Sequence, residues 1–401
     1  MVSNKEARVG REEKKGDLAV FLKMKDSGGL SIEVKSTIEH MFGKKIRETV
    51  KETLSSLGVK DAEVKVNDMG AFDYVIQARV ETAVRRLRET KRASAPGKKI
   101  VYGPPVRDRL RRTRLYMPGN NPDLMRNGGL YGADCVILDL EDSVSPLEKD
   151  AARLLVRNTL LTIDFGAAER IVRINPLSTE FSREDLEVII PAGPDTILIP
   201  KCEAASDVSD VADIIDRIEK DFGIKGKTLL MPLIETAKGI LNAYEIGSAS
   251  DRVVAVCFGA EDFTADIGVE RTREGSESFV ARSLLVLGAK AAGVQAIDTV
   301  FSDFSDEEGL TKSTEEAMAI GFEGKGVIHP SQIEPVHRVF TPTAERIEYA
   351  KKVVAAIEDA REKGSGVASI GSKMVDAPIE KRARKILRLA EALGLLAGDD
   401  R

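Results

Sequence analysis

Two rhythms of apolar and polar positions divide the chain. In the first ninety residues, DLAVFLKM (17–24) and LSIEVKS (30–36) alternate apolar with polar side chains, as half-buried strands do. The turn-forming run Asp26-Ser27-Gly28-Gly29 lies between them. Ile38, Met41, Phe42, Ile46, Val50, Leu54 and Leu57 then recur at helical spacing and stop at Gly58. AEVKVND (62–68) alternates again, and Phe72, Val75, Ile76, Ala83, Val84 and Leu87 mark a second amphipathic helix. Residues 1–90 thus predict a small α+β domain. Residues 91–111 fall in the basic, Pro- and Gly-rich stretch ETKRASAPGKKIVYGPPVRDRLRR and predict a linker.

Beyond it the pattern changes. Eight apolar runs of strand length follow, mostly separated by helical patterns: RLYMPG, CVILDLED, RIVRINP, TILIPKCE, LLMPLIE, VVAVCFGAED, AIDTVFSD and GVIHP. Strands alternating with helices imply a parallel sheet, and runs apolar on both faces imply strands covered on both sides. Eight such units over residues 112–341 predict a (β/α)8 barrel, an α/β fold of the TIM type. An open doubly wound sheet is the alternative, but no GxGxxG follows the first strand. Residues 342–401 exceed what eight units need. They predict a C-terminal helical extension: a helix from Ala344 to about Glu362, a Gly/Ser-rich loop and a last helix to about Leu396.

Composition narrows the partners. A net charge of −5 with acidic and basic residues interspersed argues against nucleic acid or a membrane surface. No apolar run approaches the ~20 residues of a membrane span. The opening MVSNKEARVGREEKKGD lacks the apolar stretch of a secretory signal, so a cytoplasmic location is expected. Cys135, Cys202 and Cys257 sit in or beside apolar runs without CxxC spacing, which predicts buried reduced thiols. His40, His329 and His337 are too scattered for a zinc site.

The polar residues prefer one end of each strand. Glu141 and Asp142 follow the second strand, Arg173 and Asn175 close the third, and Glu235 closes the fifth. Glu261 and Asp262 close the sixth, Asp298 and Asp303 lie in and after the seventh, and His329 ends the eighth. A barrel gathers these ends at one mouth, where barrel active sites lie. Glu235 and Asp262, oxygen donors without Cys or His beside them, would suit Mg²⁺ or Mn²⁺. Either could instead cap the helix that follows it. The backbone of Gly259-Ala260-Glu261-Asp262 could hold a carboxylate. Arg173 ends an apolar strand, where a charge is costly. It could bind a thioester or carboxylate oxygen, or pair with Glu141 or Asp142.

LYMPGNN, DCVILDLEDSV, VRINP, LIPKCE, LIETAKGI, GAEDFTADIG, QAIDTVFSDF, GFEGKGVIHPSQI and GSKMVDAP, in this order from residue 112 to about 390, resemble the citrate lyase β-subunit family of CoA-ester lyases, within the HpcH/HpaI aldolase-like superfamily. The resemblance implies a barrel in a homotrimer or hexamer with shared active sites, and a Mg²⁺-aided Claisen-type cleavage of a CoA thioester. It matches Glu235 and Asp262 to metal ligands, and Arg173 to the arginine at the substrate carbonyl. Glu141 and Asp142 match the acidic pair behind the metal waters. Gly259, Ala260 and Glu261 match the backbone that holds the keto-acid carboxylate, with Asn175 in the substrate-binding set. Asp376 in MVDAP matches a catalytic aspartate that reaches a neighbouring subunit's mouth. The expected reaction splits a 3-hydroxyacyl-CoA of citramalyl-CoA or malyl-CoA type into acetyl-CoA and a 2-keto acid. The alternatives are a lyase subunit of a multi-subunit complex acting on carrier-bound citryl or citramalyl groups, and a malate-synthase or thioesterase activity.

GDLAVFL, FGKKIRETVKETLSSLGV and VNDMGAFDYVIQARVETAV resemble the acyl carrier subunit of citrate lyase. That family anchors a CoA-derived arm on a turn serine. Here the turn reads Gly10-Arg-Glu-Glu-Lys-Lys-Gly-Asp17, with Lys14 or Lys15 at the serine's place. An amine cannot form the same phosphodiester, so a structural or assembly role is expected of this domain.

Overall fold

The computed structural model describes residues 6–88, 90, 93, 100 and 103–396. The small domain runs β1 (Glu6–Gly10), β2 (Leu18–Met24), β3 (Leu30–Ser36), α1 (Glu39–Ser56), β4 (Ala62–Asp68) and α2 (Asp73–Leu87). Its sheet has the order β1-β2-β4-β3, with β3 parallel to β4 and the other pairs antiparallel. Alternation works as expected: Leu18, Val20, Leu22, Val64 and Val66 are buried with Ile46, Val50 and Leu54 of α1 and Ile76 and Val80 of α2. β1 is an addition to the expected strands. Its five residues bury only Ala7 and Val9, too short an alternation to read alone, and pairing with β2 makes it a strand. The turn after it needs Gly10, whose φ is +88° and whose Cβ would lie 2.0 Å from the Leu18 carbonyl oxygen.

The barrel follows with β5 (Thr113–Pro118), α3 (Pro122–Met125), β6 (Cys135–Asp139), α4 (Lys149–Thr162), β7 (Glu169–Arg173), α5 (Phe181–Ile189), β8 (Thr196–Ile199) and α6 (Ala205–Phe222). Its second half is β9 (Leu229–Ile234), α7 (Ala237–Leu241), α8 (Ala243–Ser248), β10 (Ala255–Phe258), α9 (Ala260–Asp266), α10 (Phe279–Ala291), β11 (Gln295–Asp298), α11 (Glu307–Ile320), β12 (Gly324–Val327) and α12 (Ile333–Phe340). All eight strands are parallel, and β12 pairs with β5 to close the ring. The period of two splits the core into two shells. Cys135, Ile137, Ile171, Leu198, Met231, Leu233, Cys257 and Ile297 fill the lumen, while Val136, Leu138, Val172, Ile197, Leu230 and Val256 pack under the helices. Cys135, Cys202 and Cys257 are free and buried. Among the described residues no helix is long and apolar enough to cross a membrane.

The tail forms α13 (Ala344–Glu362), a hairpin of β13 (Ala368–Ile370) and β14 (Lys373–Val375), and α14 (Ala377–Ala392). The Gly/Ser-rich stretch is therefore partly a hairpin. Its Val375 packs with Val353, Ile357 and Ala383 in a core of its own.

Positions 89, 91, 92, 94–99, 101 and 102 of the basic stretch lie outside the described residues. Its second half, read as linker up to residue 111, is not a spacer. Arg111 is buried and grips Glu169 through Nε and Nη2 at 2.7 and 2.8 Å. Arg107 donates to the Val253 carbonyl at 2.8 Å, and Arg112 forks onto Asp134. Residues 106–112 therefore tie down the strand-start end of the barrel. Basic residues beside Pro and Gly look like a solvated linker until the folded chain brings carboxylates 22 to 58 residues away against them.

The small domain docks on the barrel with α2 packed along α4. Glu81, fully buried, receives Nη1 and Nη2 of Arg157 at 3.1 and 2.8 Å. Asn158 Nδ2 donates to the Tyr74 carbonyl at 2.9 Å, and Arg86 forks onto Asp150 at 2.7 Å. Breaking a buried pair from one side strands the other charge and costs roughly 3–5 kcal/mol. Glu81→Ala is thus expected to lower stability by that order in urea unfolding. A loss below about 1 kcal/mol would show the pair to be dispensable.

Candidate active site

β6, β7, β9 and β10 each end on a charged or turn residue that faces the same cavity, about 470 Å³ at the C-terminal mouth. Its lining includes Tyr116, Asp139, Asp142, Arg173, Glu235, Gly259, Ala260, Glu261 and Asp262. Of the residues expected at the mouth, Asp142, Arg173, Glu235, Glu261 and Asp262 line it, whereas Glu141, Asn175, Asp298, Asp303 and His329 are not part of the lining.

Arg173 is the hub on one side. Its Nε and Nη2 fork onto Asp139 at 2.6 and 2.7 Å, and Nη1 lies 2.6 Å from Glu141 and 3.5 Å from Asp142. The Tyr116 ring lies under the guanidinium, 5.3 Å from its centroid. The ion pair weighed for Arg173 exists, with Asp139 as its main partner. Asp139 went unnoticed among the apolar letters of CVILDLED. It stands two positions after Ile137, on the lumen face, and that spacing is the signal that could have found it. Burial alone would raise the Asp139 carboxyl, but Arg173 and the Ser143 hydroxyl hold it below the usual carboxylate range. The loop of Glu141 is fixed by Lys149, whose buried ammonium donates to the Leu140 and Glu141 carbonyls at 2.7 Å.

Glu235 and Asp262 form the other side. Glu235 is buried and accepts the Lys201 N–H at 2.9 Å. Lys201, just after β8, has φ +54°, a left-handed conformation that a non-glycine residue holds at some cost. It aims its amide at Glu235 while its ammonium sits 3.6 Å from both Glu141 and Asp262. The run IPKCE gave no hint of this role. Gly259 follows β10 because a Cβ there would lie 2.6 Å from Glu235 Oε2. Burial first, then repulsion from Glu141 and Asp262, pushes the Glu235 carboxyl up to about 8. Burial, opposed by Arg173 and aided by Asp142, brings Glu141 to about 7.

This is a cation-seeking arrangement. Glu141 Oε1 is buried without a hydrogen bond, its Oε2 meets only the Arg173 guanidinium at 2.6 Å, and the Lys201 ammonium already stands as a cation between Glu141 and Asp262. The donors are all oxygen, which suits Mg²⁺. Among the described residues no three His, Cys, Asp or Glu side chains close on one point. Two carboxylates, with water and substrate completing the sphere, are what Mg²⁺ commonly takes from a protein.

A pH dependence follows. In the protein without metal, Glu235 and Glu141 bind protons more tightly than their ordinary value of 4.5 allows. Their protonated forms therefore add stability at low pH that is lost as pH rises from about 4.5 through about 7 and 8. The melting temperature in EDTA should fall across this window, and the stabilisation by added Mg²⁺ should grow with pH. A Mg²⁺ shift equal at pH 6 and pH 8.5 would contradict this.

Other expected residues fall elsewhere. Asn175 is outside the cavity lining, with its Nδ2 and backbone N–H both on Asp185, at 2.7 and 3.0 Å. That is a packing contact to α5: β7 ends at Arg173, its last lumen-facing residue, and the chain beyond it turns onto Asp185. In the Gly259 turn, Ala260 N–H donates to Thr299 Oγ1 at 3.1 Å, and the exposed Glu261 pairs with Arg271. Asp298 lies in the barrel wall, paired with Lys325 at 2.7 Å and Arg282 at 3.0 Å, and the exposed Asp303 bonds Ser305. Asp376 does not reach this chain's cavity. It caps α14, accepting Ile379 N–H at 3.3 Å.

Comparison with known proteins agrees with this architecture. Residues 112–330 match the family model described as HpcH/HpaI aldolase/citrate lyase, and residues 4–87 match that of the malonate decarboxylase delta subunit (MdcD). The citrate lyase subunit beta of Leuconostoc mesenteroides subsp. cremoris is 45% identical over 71% of this chain and 95% of its own length. The mitochondrial citramalyl-CoA lyase of Rattus norvegicus is 37% identical over 71% of this chain and 87% of its own length. The crystal structure of protein CitE from Mycobacterium tuberculosis, in complex with magnesium, acetoacetate and coenzyme A, aligns with a TM-score of 0.60 at 33% identity, over 71% of this chain and all of that one. On the barrel, the carboxylate-rimmed mouth and these identities, the chain belongs to the HpcH/HpaI aldolase/citrate lyase family of carbon–carbon lyases.

Proposed function

We propose that this protein is a Mg²⁺-dependent lyase that cleaves a free 3-hydroxyacyl-CoA thioester, of citramalyl-CoA or malyl-CoA type, into acetyl-CoA and a 2-keto acid. The observation that carries this reading is the gathering of Glu235, Asp262 and Arg173 on one cavity, with the buried Glu141 held against Arg173 beside them. Glu235 and Asp262 would hold the metal, which when bound supplies Lewis acidity at the hydroxyl that becomes the keto oxygen. Glu141 and Asp142 orient water at that end. Arg173, its fork fixed on Asp139 and its face on Tyr116, presents positive charge where the thioester oxygen becomes an enolate oxygen. Asp376 of a neighbouring subunit delivers the proton to the enolate carbon, in an assembly of three or six copies.

The named relatives support the chemistry, since a citrate lyase subunit and a citramalyl-CoA lyase each align with 71% of this chain. The coenzyme A and magnesium in the Mycobacterium tuberculosis structure support the ligand class. The test is keto-acid release from citramalyl-CoA, malyl-CoA and citryl-CoA, with Mg²⁺ and with EDTA. Release from none of them would reject the lyase. Release of free thiol in place of acetyl-CoA would favour a thioesterase. The citryl thioester is a second reading, favoured by one observation, the buried Arg114 in the cavity.

A further inference from the structure

Arg114 is the second residue of β5, on the lumen side, two positions below Tyr116, and only 1% exposed. A guanidinium keeps its charge at any physiological pH, and burying it is costly unless a carboxylate offsets the lost hydration. The other buried arginines of the barrel have one: Arg111 pairs with Glu169, Arg153 with Asp185, Arg170 with Asp195, Arg173 with Asp139 and Arg282 with Asp298. Arg114 makes no ion pair among the described residues. Its one hydrogen bond runs from Nη1 to Cys257 Sγ at 2.8 Å, and its Nε, sealed from solvent, has none. The thiol is no counter-ion, because burial pushes Cys257 above its ordinary range.

The side chain nonetheless lines the cavity at the barrel mouth. The molecule thus holds a desolvated, unpaired cation at the floor of the pocket whose rim carries Glu235 and Asp262.

We propose that Arg114 is a specificity residue that binds a second carboxylate on the acyl half of the substrate, distinct from the one beside the hydroxyl. The preferred thioester would then yield a 2-keto acid with a further carboxylate. This rests on the lyase reading and, within it, favours the second reading, the citryl thioester, over the citramalyl and malyl ones. A methyl group or hydrogen at the same place leaves the guanidinium buried without a partner, and sites that must hydrogen-bond a missing group discriminate by about 10²-fold or more.

The test compares wild type with Arg114→Met, which keeps side-chain length and suits the apolar lumen. Without ligand the variant should melt at the same or a higher temperature, since an unpaired buried charge is gone. Its kcat/KM for citryl-CoA should fall about 10²-fold, while that for citramalyl-CoA stays within a few fold. Calorimetry with Mg²⁺ should show wild type binding freshly prepared oxaloacetate at least about tenfold tighter than pyruvate, and the variant losing that difference. Equal losses on both thioesters, or a wild-type preference for citramalyl-CoA that the variant keeps, would overturn the proposal with the lyase reading intact. If wild type cleaves no thioester, the lyase reading falls, and the oxaloacetate-to-pyruvate binding ratio still judges Arg114. Should Arg114→Met fail to fold, that wild-type ratio decides alone: a value near one refutes the assignment.

Discussion

Glu235→Gln and Asp262→Asn are expected to abolish Mg²⁺-dependent cleavage, by roughly 10³-fold or more, while leaving the barrel folded. The magnitude is that of losing several kcal/mol of charge stabilisation at the reacting oxygen. The amide variants are chosen because Glu235 is buried against Gly259 and accepts the Lys201 amide; Gln keeps both the shape and that hydrogen bond. Removing the charge also relieves the repulsion among Glu235, Glu141 and Asp262. Each variant should therefore be at least as stable as wild type in EDTA but gain less on adding Mg²⁺. Binding calorimetry with Mg²⁺ gives a readout independent of turnover. Full activity of both variants in EDTA, or unchanged Mg²⁺ binding in both, would remove the metal from these residues.

Equally large losses are expected from Arg173→Lys and from Asp376→Asn, and mixing the two inactive proteins should restore part of the activity. Lysine at 173 keeps a cation beside Asp139 and Glu141 but loses the fork that holds the charge in place. Asparagine at 376 keeps the helix cap, since Asn caps as well as Asp, but cannot carry the proton. Loss of activity in Asp376→Asn with unchanged melting thus separates catalysis from capping. The expected fall is about 10²–10⁴-fold, with substrate binding retained. In this chain Asp376 stands at the end of the β13–β14 hairpin, away from the chain's own cavity. A site shared between subunits pairs an intact Arg173 barrel with an intact Asp376 tail in about one site of four after equal mixing and free exchange. Exchange proven by native mass spectrometry without recovered activity would reject the shared site.

The barrel was legible in the sequence because its strands are buried on both faces. Eight apolar runs separated by helical patterns leave few other folds, and each ends near the charge or turn that faces the mouth. The small domain's β2, β3 and β4 were legible through plain alternation, whereas β1 was not, because five residues with two buried apolar positions carry too little pattern. Glu235, Asp262, Arg173 and Glu141 could be named because a charge at the end of an apolar run is conspicuous.

Only the tertiary structure decided how the charges are shared. The fork of Arg173 onto Asp139, the Lys201 ammonium between Glu141 and Asp262, and the capture of Asn175 by Asp185 join residues 10 to 61 positions apart on different elements. The arginines before β5 read as part of a linker and proved to be anchors, and Arg114 opened the strand run RLYMPG without being singled out. Periodicity reports which face of an element is buried, since that depends on neighbours along the chain. The partner that a buried charge finds, or lacks, depends on strands brought together only by closure of the ring, and so on coordinates that no local pattern contains.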